Sequence, residues 1–203
     1  TGGHIYPALS LADSLPNTWE VEWLGVPKRL EIELVPSRKY NLTLLKVGGL
    51  QGNFLRKIFE LIKLLLASIK VSNVLREKKI DVIFTTGGYI SAPSILAAKL
   101  TGIPVLLHES NAIPGKVTRL LGRFCDHVAL GIPSASKYLS NCHTSFTGTP
   151  VRAEFFFKQS LPSWVPKGEG VLILIMGGSQ GAKKLNEMVR ILLPGLLQKG
   201  CRI

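Results

Sequence analysis

Long apolar runs are missing from this sequence. A stretch such as VLILIM at 171–176 is strand-sized, far short of the ~18 residues that cross a bilayer, so an integral membrane protein is not expected. Cysteine is scarce: Cys125, Cys142 and Cys201 lie far apart and form no Cys-x-x-Cys pair. That removes a disulfide framework and a thiolate metal site, and it suits a reducing cytoplasm. Acidic residues are few, 13 against 25 Lys and Arg, which leaves a net charge of +12. Such an excess points to polyanionic company: nucleic acid, phosphorylated ligands or an anionic membrane face. Aromatics make up only 7% of the chain, too few for the stacking platforms of a single-strand binder, and no helix-turn-helix, zinc-finger or RNA-recognition pattern is present. Nucleic acid is therefore not expected as a partner.

What remains is a chain of 203 residues, 46% apolar and 19% charged, able to bury a substantial core. Short apolar runs alternate with helical periodicity, the habit of βαβ units around a parallel sheet. Strands are predicted at 20–25, 41–47, 81–86, 104–108, 127–130 and 171–176, and helices at about 7–15, 55–77, 93–101, 115–123 and 182–199. Residues 153–170, rich in Pro, Gly and Lys, read as a linker. It separates a first domain at 1–152 from a strand, glycine turn and helix at 171–203 that read as the start of a second.

One pattern recurs: TGGHIYP at 1–7, TTGGYISAP at 85–93 and IMGGSQGAKK at 175–184. In the second and third an apolar strand feeds a Gly-Gly turn and a helix. Backbone N–H groups and the positive end of a helix dipole would then face the carboxyl edge of the sheet, where open α/β sheets bind ligands. Phosphate suits such a place. Neither G-x-x-x-x-G-K-[ST] nor G-x-G-x-x-G occurs, which disfavours a P-loop or a standard dinucleotide fold.

Gly177-Gly178-Ser179-Gln180-Gly181 has the form of a hydrolase nucleophile elbow, but only Glu187 and no histidine follows Ser179, so that chemistry lacks its base. Ser179 more simply offers its hydroxyl and N–H to a phosphate. His108 ends a buried strand and reads as structural, and His127 and His143 have no spacing for a metal. His4 adjoins a glycine pair, and two readings stand for it: a structural imidazole, or a general base working near neutral pH.

FLRKIFELIKLLLASIK at 54–70 carries a broad apolar arc of Phe54, Leu55, Ile58, Leu61, Ile62, Leu65 and Ile69, with Arg56, Lys63 and Lys70 opposite. One reading packs this arc on the sheet. The other lays it on a membrane, the basic flank meeting anionic headgroups at about 1 kcal/mol per cation.

Taken in order, TGGHIYPALSLA, WLGVPKRLEIELVP, VGGLQG, DVIFTTGGYISAPSILAAKLTGIPVLLHESNAIPGKVTRLL, GTPVR and GGSQGAKKLNE make the chain resemble the MurG family, glycosyltransferases of family 28. Ser110 and Ala92 depart from it, standing where Gln and Gly are common. The resemblance implies a GT-B architecture of two Rossmann-like domains, the N-terminal one for the acceptor and the C-terminal one, incomplete here, for the nucleotide sugar. It implies that the chain is truncated at both ends and inactive alone.

The implied reaction moves GlcNAc from UDP-GlcNAc, with inversion, to the C4 hydroxyl of MurNAc in undecaprenyl-pyrophosphoryl-MurNAc-pentapeptide (lipid I), forming lipid II for peptidoglycan. His4 would be the general base. Thr1, Gly2, Gly3, Asn111, Arg152 and Ser179 would lie against UDP-GlcNAc, and Gly87, Gly88 and Tyr89 against the acceptor pyrophosphate. Phe54, Ile58, Leu65, Lys63 and Lys70 would meet an anionic membrane. No metal and no cofactor is implied, UDP-GlcNAc being a substrate. The place is peripheral, at the cytoplasmic face of the bacterial membrane, with cell-wall synthesis proteins as further partners. Two alternatives stay open: another GT-B enzyme or a UDP-sugar epimerase, and a non-catalytic module that binds anionic lipid or polyphosphate.

Overall fold

The computed structural model describes residues 2–45, 54–158, 160–178 and 182–203, the side chains of 54–58 aside. Thr1, Ser179, the VGGLQG stretch and the side chains of Phe54 and Ile58 thus lie outside the described residues. The chain divides into two compact units, Thr1–Phe155 and Phe156–Ile203.

Alternation of apolar runs with helical periodicity builds the first unit. Its elements run α1 (Gly2–Ser14), β1 (Glu22–Gly25), α2 (Glu31–Ser37), β2 (Asn41–Leu44), α3 (Phe54–Glu77), β3 (Ile83–Thr85), α4 (Ser91–Thr101), β4 (Val105–Glu109), α5 (Lys116–Leu121), β5 (His127–Leu130) and β6 (Thr144–Phe146). β1 and β2 pair in parallel, and β3-β4-β5-β6 form a four-stranded parallel sheet in that order. All strands of that sheet point the same way, so their carboxyl ends and the loops after them share one rim.

The core explains why the chain folds this way. Ile83, Val105, Leu107, Val128 and Leu130 from the sheet meet Val71 and Leu75 of α3 and Ile95, Ala97 and Ala98 of α4. Each such large side chain taken fully from water contributes about 1.5–3 kcal/mol. A second cluster sets Ile5 and Leu9 of α1 against Val35 of α2, with Trp23 and Tyr40 stacked at 6.4 Å beside it.

Three expectations are corrected. Residues 2–6 do not form a glycine loop ahead of a helix at 7: α1 starts at Gly2, so Gly2, Gly3 and His4 make its first turn and Pro7 lies inside it. Glycine takes helical φ as readily as positive φ, and bonds from His4 to a segment 82 residues away hold the turn. The strand expected over 171–176 holds one parallel bridge, Leu172 to Arg202, because a strand exists only where a partner lies alongside. That bridge flanks α6 (Lys183–Gln198), and the second unit is thus a minimal β-α-β element. Third, of the two readings of the α3 arc, the one that packs it on the sheet does not hold for the described residues Leu61, Ile62, Leu65 and Ile69. Small residues face inward, Ser68 and Ser72 being buried with Val71 and Leu75, whereas Phe59, Leu61, Ile62, Leu65, Leu66 and Ile69 are exposed. α2 and β6 escape sequence reasoning, the one carrying Pro36 in its last turn and the other only three residues long.

Burial also sets the chemistry of the thiols. Desolvation, reinforced by the neighbouring Cys142 and Asp126, pushes the Cys125 thiol from 9.0 up to about 12, and burial raises Cys142 as well. In the unfolded chain Cys125 loses its proton near pH 9, whereas the folded chain keeps it to about 12. The folded state then binds more protons, and stability falls with rising pH across that window. Urea unfolding between pH 9 and 12 should accordingly show the advantage of wild type over Cys125→Ala shrinking as pH climbs; a constant gap would contradict this.

Candidate active site

The rim at the carboxyl ends of β3, β4, β5 and β6 collects the candidate residues of the first unit. After β3 the chain turns through Thr86, Gly87, Gly88 and Tyr89 into α4. Gly87 and Gly88 hold φ of +83° and +81°, the left-handed region that glycine enters without strain. A Cβ on Gly87 would also come within 3.3 Å of the buried Thr118 hydroxyl. Among the described Gly-Gly pairs this is the one that makes a positive-φ bend, so its N–H groups are set differently from those of Gly2-Gly3, which are the open donors of a helical first turn.

α1 brings its amino end to that bend through a reciprocal clasp. The His4 Nδ1–H donates to the Thr86 carbonyl at 2.7 Å, and the Thr86 hydroxyl donates to the His4 carbonyl at 2.9 Å. A carbonyl oxygen only accepts, so Nδ1 carries the proton and, in the neutral ring, Nε2 carries the lone pair. His4 is half-buried. The geometry thus supplies an oriented base beside the N–H groups and positive dipole end of a 13-residue helix.

β4 ends in His108 and Glu109, exposed by only 1% and 2%. Glu109 Oε1 accepts from the Asn111 backbone N–H at 3.0 Å and from its Nδ2 at 2.7 Å, while Oε2 accepts from the Gly115 N–H at 3.1 Å. The carboxylate is the hub around which the loop 110–115 is wound. It fixes the Asn111 amide with its nitrogen inward, which leaves the carbonyl oxygen for a ligand. His108 Nε2–H donates to the Gly148 carbonyl at 2.9 Å, so its Nδ1 accepts from the Ser110 hydroxyl at 3.3 Å. That bond pins the loop after β6 to the rim.

From this loop Arg152 reaches α1. Its guanidinium carbon lies 4.8 Å from the Tyr6 ring centroid and 4.9 Å from that of Phe155, cation–π distances that hold the fork without neutralising it. Arg29 donates to the Tyr89 hydroxyl at 3.3 Å. The structure therefore joins His4, Gly2 and Gly3 to the Gly87–Tyr89 bend, and Arg152 to α1. Asn111 stands on the same rim, bonded to Glu109. Lys63, Leu65 and Lys70 are elsewhere, on the exposed face of α3. His127 bonds Ser145 at 2.7 Å, a structural contact. Among the described residues no group of three or more His, Cys, Asp or Glu is gathered closely enough to hold a metal ion.

The profile of the glycosyltransferase family 28 N-terminal domain matches residues 1–130. The chain belongs to glycosyltransferase family 28. It is 77% identical over all 203 residues to the UDP-N-acetylglucosamine–N-acetylmuramyl-(pentapeptide) pyrophosphoryl-undecaprenol N-acetylglucosamine transferase of Prochlorococcus marinus strain NATL1A, covering 57% of it. It is 59% identical, again over its whole length, to the enzyme of that name from Synechococcus sp. strain CC9311, covering 56% of it. The crystal structure of Acinetobacter baumannii MurG superposes with a TM-score of 0.71 at 32% identity, over 95% of this chain and 54% of that one. The chain spans little more than half the length of the relatives it matches. The expected fold class stands: a parallel α/β, Rossmann-like family 28 domain with a GT-B neighbour.

Three contributors to this candidate site escaped sequence reasoning. Thr86 and Tyr6 act through contacts far apart in sequence, which spacing does not reveal. Glu109 carried a signal: a carboxylate at the end of an apolar strand needs N–H donors, and the Asn- and Gly-containing loop after it supplies them.

Proposed function

We propose that the protein to which this chain belongs is an inverting glycosyltransferase that moves GlcNAc from UDP-GlcNAc to the C4 hydroxyl of MurNAc in lipid I, giving lipid II for peptidoglycan. The observation that carries this reading is the oriented imidazole of His4 at the amino end of α1, one clasp away from the Gly87-Gly88 bend. A base needs its lone pair fixed toward the acceptor, and the Thr86 carbonyl fixes it by occupying the other ring nitrogen. His4 Nε2 takes the proton as the acceptor oxygen attacks the anomeric carbon from the face opposite the leaving UDP.

The bend at Gly87 and Gly88, with Tyr89, receives the acceptor pyrophosphate. Gly2, Gly3, Asn111 and Arg152 are assigned to UDP-GlcNAc, as are Thr1 and Ser179. Arg152 is suited to offset leaving-group charge because rings, not carboxylates, hold it. No cofactor or metal takes part in this scheme. Residues 1–152 serve the acceptor and 171–203 open the donor domain, with 153–170 linking them.

The same protein docks on the cytoplasmic face of the membrane, where its lipid-linked acceptor lies and where other cell-wall synthesis proteins are candidate partners. No helix among the described residues is long and apolar enough to cross a bilayer. The docking element is α3, whose outward face carries Phe59, Ile62, Leu65, Leu66 and Ile69 beside the exposed Lys63 and Lys70. Replacing Leu65, Leu66 and Ile69 by Ser, positions already open to water, should leave the fold intact and cut pelleting with anionic vesicles at least ~10-fold, since each buried CH₂ is worth about 0.8 kcal/mol. Unchanged pelleting would remove α3 as the docking face.

The test of the reaction is transfer of labelled GlcNAc from UDP-GlcNAc to a lipid I analogue by the full-length protein. Transfer with inversion is expected. Tight phosphate or lipid binding without transfer would favour a binding module instead.

A further inference from the structure

We infer that Thr86 is a positioning residue for His4, and that its hydroxyl, together with its carbonyl, couples the base to the Gly87-Gly88 bend. The inference rests on the proposed transferase reading for its kinetic consequence, but its structural content is independent of that reading.

The two hydrogen bonds of the clasp run in opposite directions between the same two residues, one ring to carbonyl at 2.7 Å and one hydroxyl to carbonyl at 2.9 Å. A single bond would leave α1 free to pivot about it. Two antiparallel bonds fix both the distance and the rotation of the first turn relative to the loop. Thr86 is 9% exposed, so water competes poorly for either bond. Position matters as much as strength, because Thr86 immediately precedes Gly87, whose φ of +83° starts the bend.

Any shift of the bend on taking up a diphosphate is thus passed to the imidazole through a contact of two residues. The clasp also offsets a local weakness. α1 begins with two glycines, the poorest ordinary helix formers, and has no acidic residue in its first turn, so its amino end depends on tertiary contacts for order.

The hydroxyl is separable from the carbonyl by mutation. Thr86→Val keeps shape and carbonyl but deletes the donor, whereas Thr86→Ser keeps both. In the full-length protein Thr86→Val should lower kcat about 10- to 100-fold, the scale of a misplacement of about 1 Å, with KM for UDP-GlcNAc and for the lipid I analogue within about twofold. Thr86→Ser should restore kcat to near wild type.

A second readout needs no turnover. With ¹⁵N-histidine label, the neutral His4 ring of wild type and Thr86→Ser should be in the Nδ1–H form, while Thr86→Val, which keeps the carbonyl but loses the second bond that stops the first turn of α1 from pivoting, should weaken the ring-to-carbonyl bond and shift part of the population toward the Nε2–H form that a free imidazole prefers. An Nε2–H ring in wild type, or a Thr86→Val protein with unaltered tautomer and kcat, would overturn the inference. If even wild type transfers no GlcNAc, the functional reading fails, and the tautomer series alone decides whether the clasp positions the ring.

Discussion

His4→Ala in the full-length protein is expected to lower kcat for GlcNAc transfer by about 10²- to 10⁴-fold, the range over which positioned general bases contribute. KM for either substrate should change little, because in the proposed reaction the ring meets the acceptor hydroxyl through one nitrogen, and its other nitrogen is held by Thr86. His4→Asn is the sharper control: its Nδ2 stands where the Nδ1 of His4 does and can donate to the Thr86 carbonyl, which preserves the clasp, yet it has no basic lone pair. Both variants should be similarly inactive, while His4→Asn should keep more of the thermal stability of wild type. Steady-state kinetics with a lipid I analogue, alongside thermal unfolding, separates the roles. Rapid transfer by either variant would assign the proton to another group.

The second large effect is on stability and centres on Glu109. Its carboxylate accepts three N–H bonds while almost wholly removed from water. Hydrogen bonds to a charged group are worth about 1.5–3 kcal/mol each, and donors stripped of their partner cost further. Glu109→Ala should therefore destabilise the protein by about 3–5 kcal/mol, partly relieved by water entering the vacated space. Glu109→Gln should cost less, about 1–3 kcal/mol, because one amide oxygen still accepts from Asn111 while its NH₂ opposes the Gly115 N–H. Urea unfolding measures both values. Amide exchange should report the cause: Asn111 and Gly115 lose protection in each variant, whereas Val128 in the sheet does not. Since Asn111 is assigned to UDP-GlcNAc, the KM for that substrate should rise in step with the loss of protection. A Glu109→Ala protein as stable as wild type would show that the loop is held by something else.

The sheet and its helices were legible because burial imposes a period. β5 was found at its observed bounds, and α3 and α6 within a residue or so, since long apolar repeats leave little choice. The rim was legible for the same reason: an apolar strand followed by Gly-Gly announces a turn at a sheet edge. Less legible was anything decided by a distant partner. Gly2 and Gly3 look like a loop because local propensity opposes a helix there, and tertiary contacts, the bonds between His4 and Thr86 and the packing of Ile5 and Leu9 among them, reverse that preference.

α3 shows the other limit. Its large apolar residues were visible, but hydrophobicity does not say which face the neighbours want. The inward positions went to Ser68 and Ser72, each back-bonded to a carbonyl of its own helix, and this pushes Leu65, Leu66 and Ile69 outward. β6 was hidden because an edge strand with an exposed face has no hydrophobic signature to read. His4 was singled out as a residue of interest, yet neither its tautomer nor its partner has any trace in the sequence.

The central claim is that the Gly87-Gly88 bend holds the acceptor diphosphate so that the sugar hydroxyl meets His4 at the amino end of α1. A crystal structure of the full-length protein with a soluble lipid I analogue tests it most directly. The account predicts the MurNAc C4 oxygen within about 2.6–3.2 Å of His4 Nε2, directly or through one water, with the diphosphate on the N–H groups of the bend. An acceptor bound with its C4 oxygen remote from Nε2, or a diphosphate seated away from that rim, would contradict it.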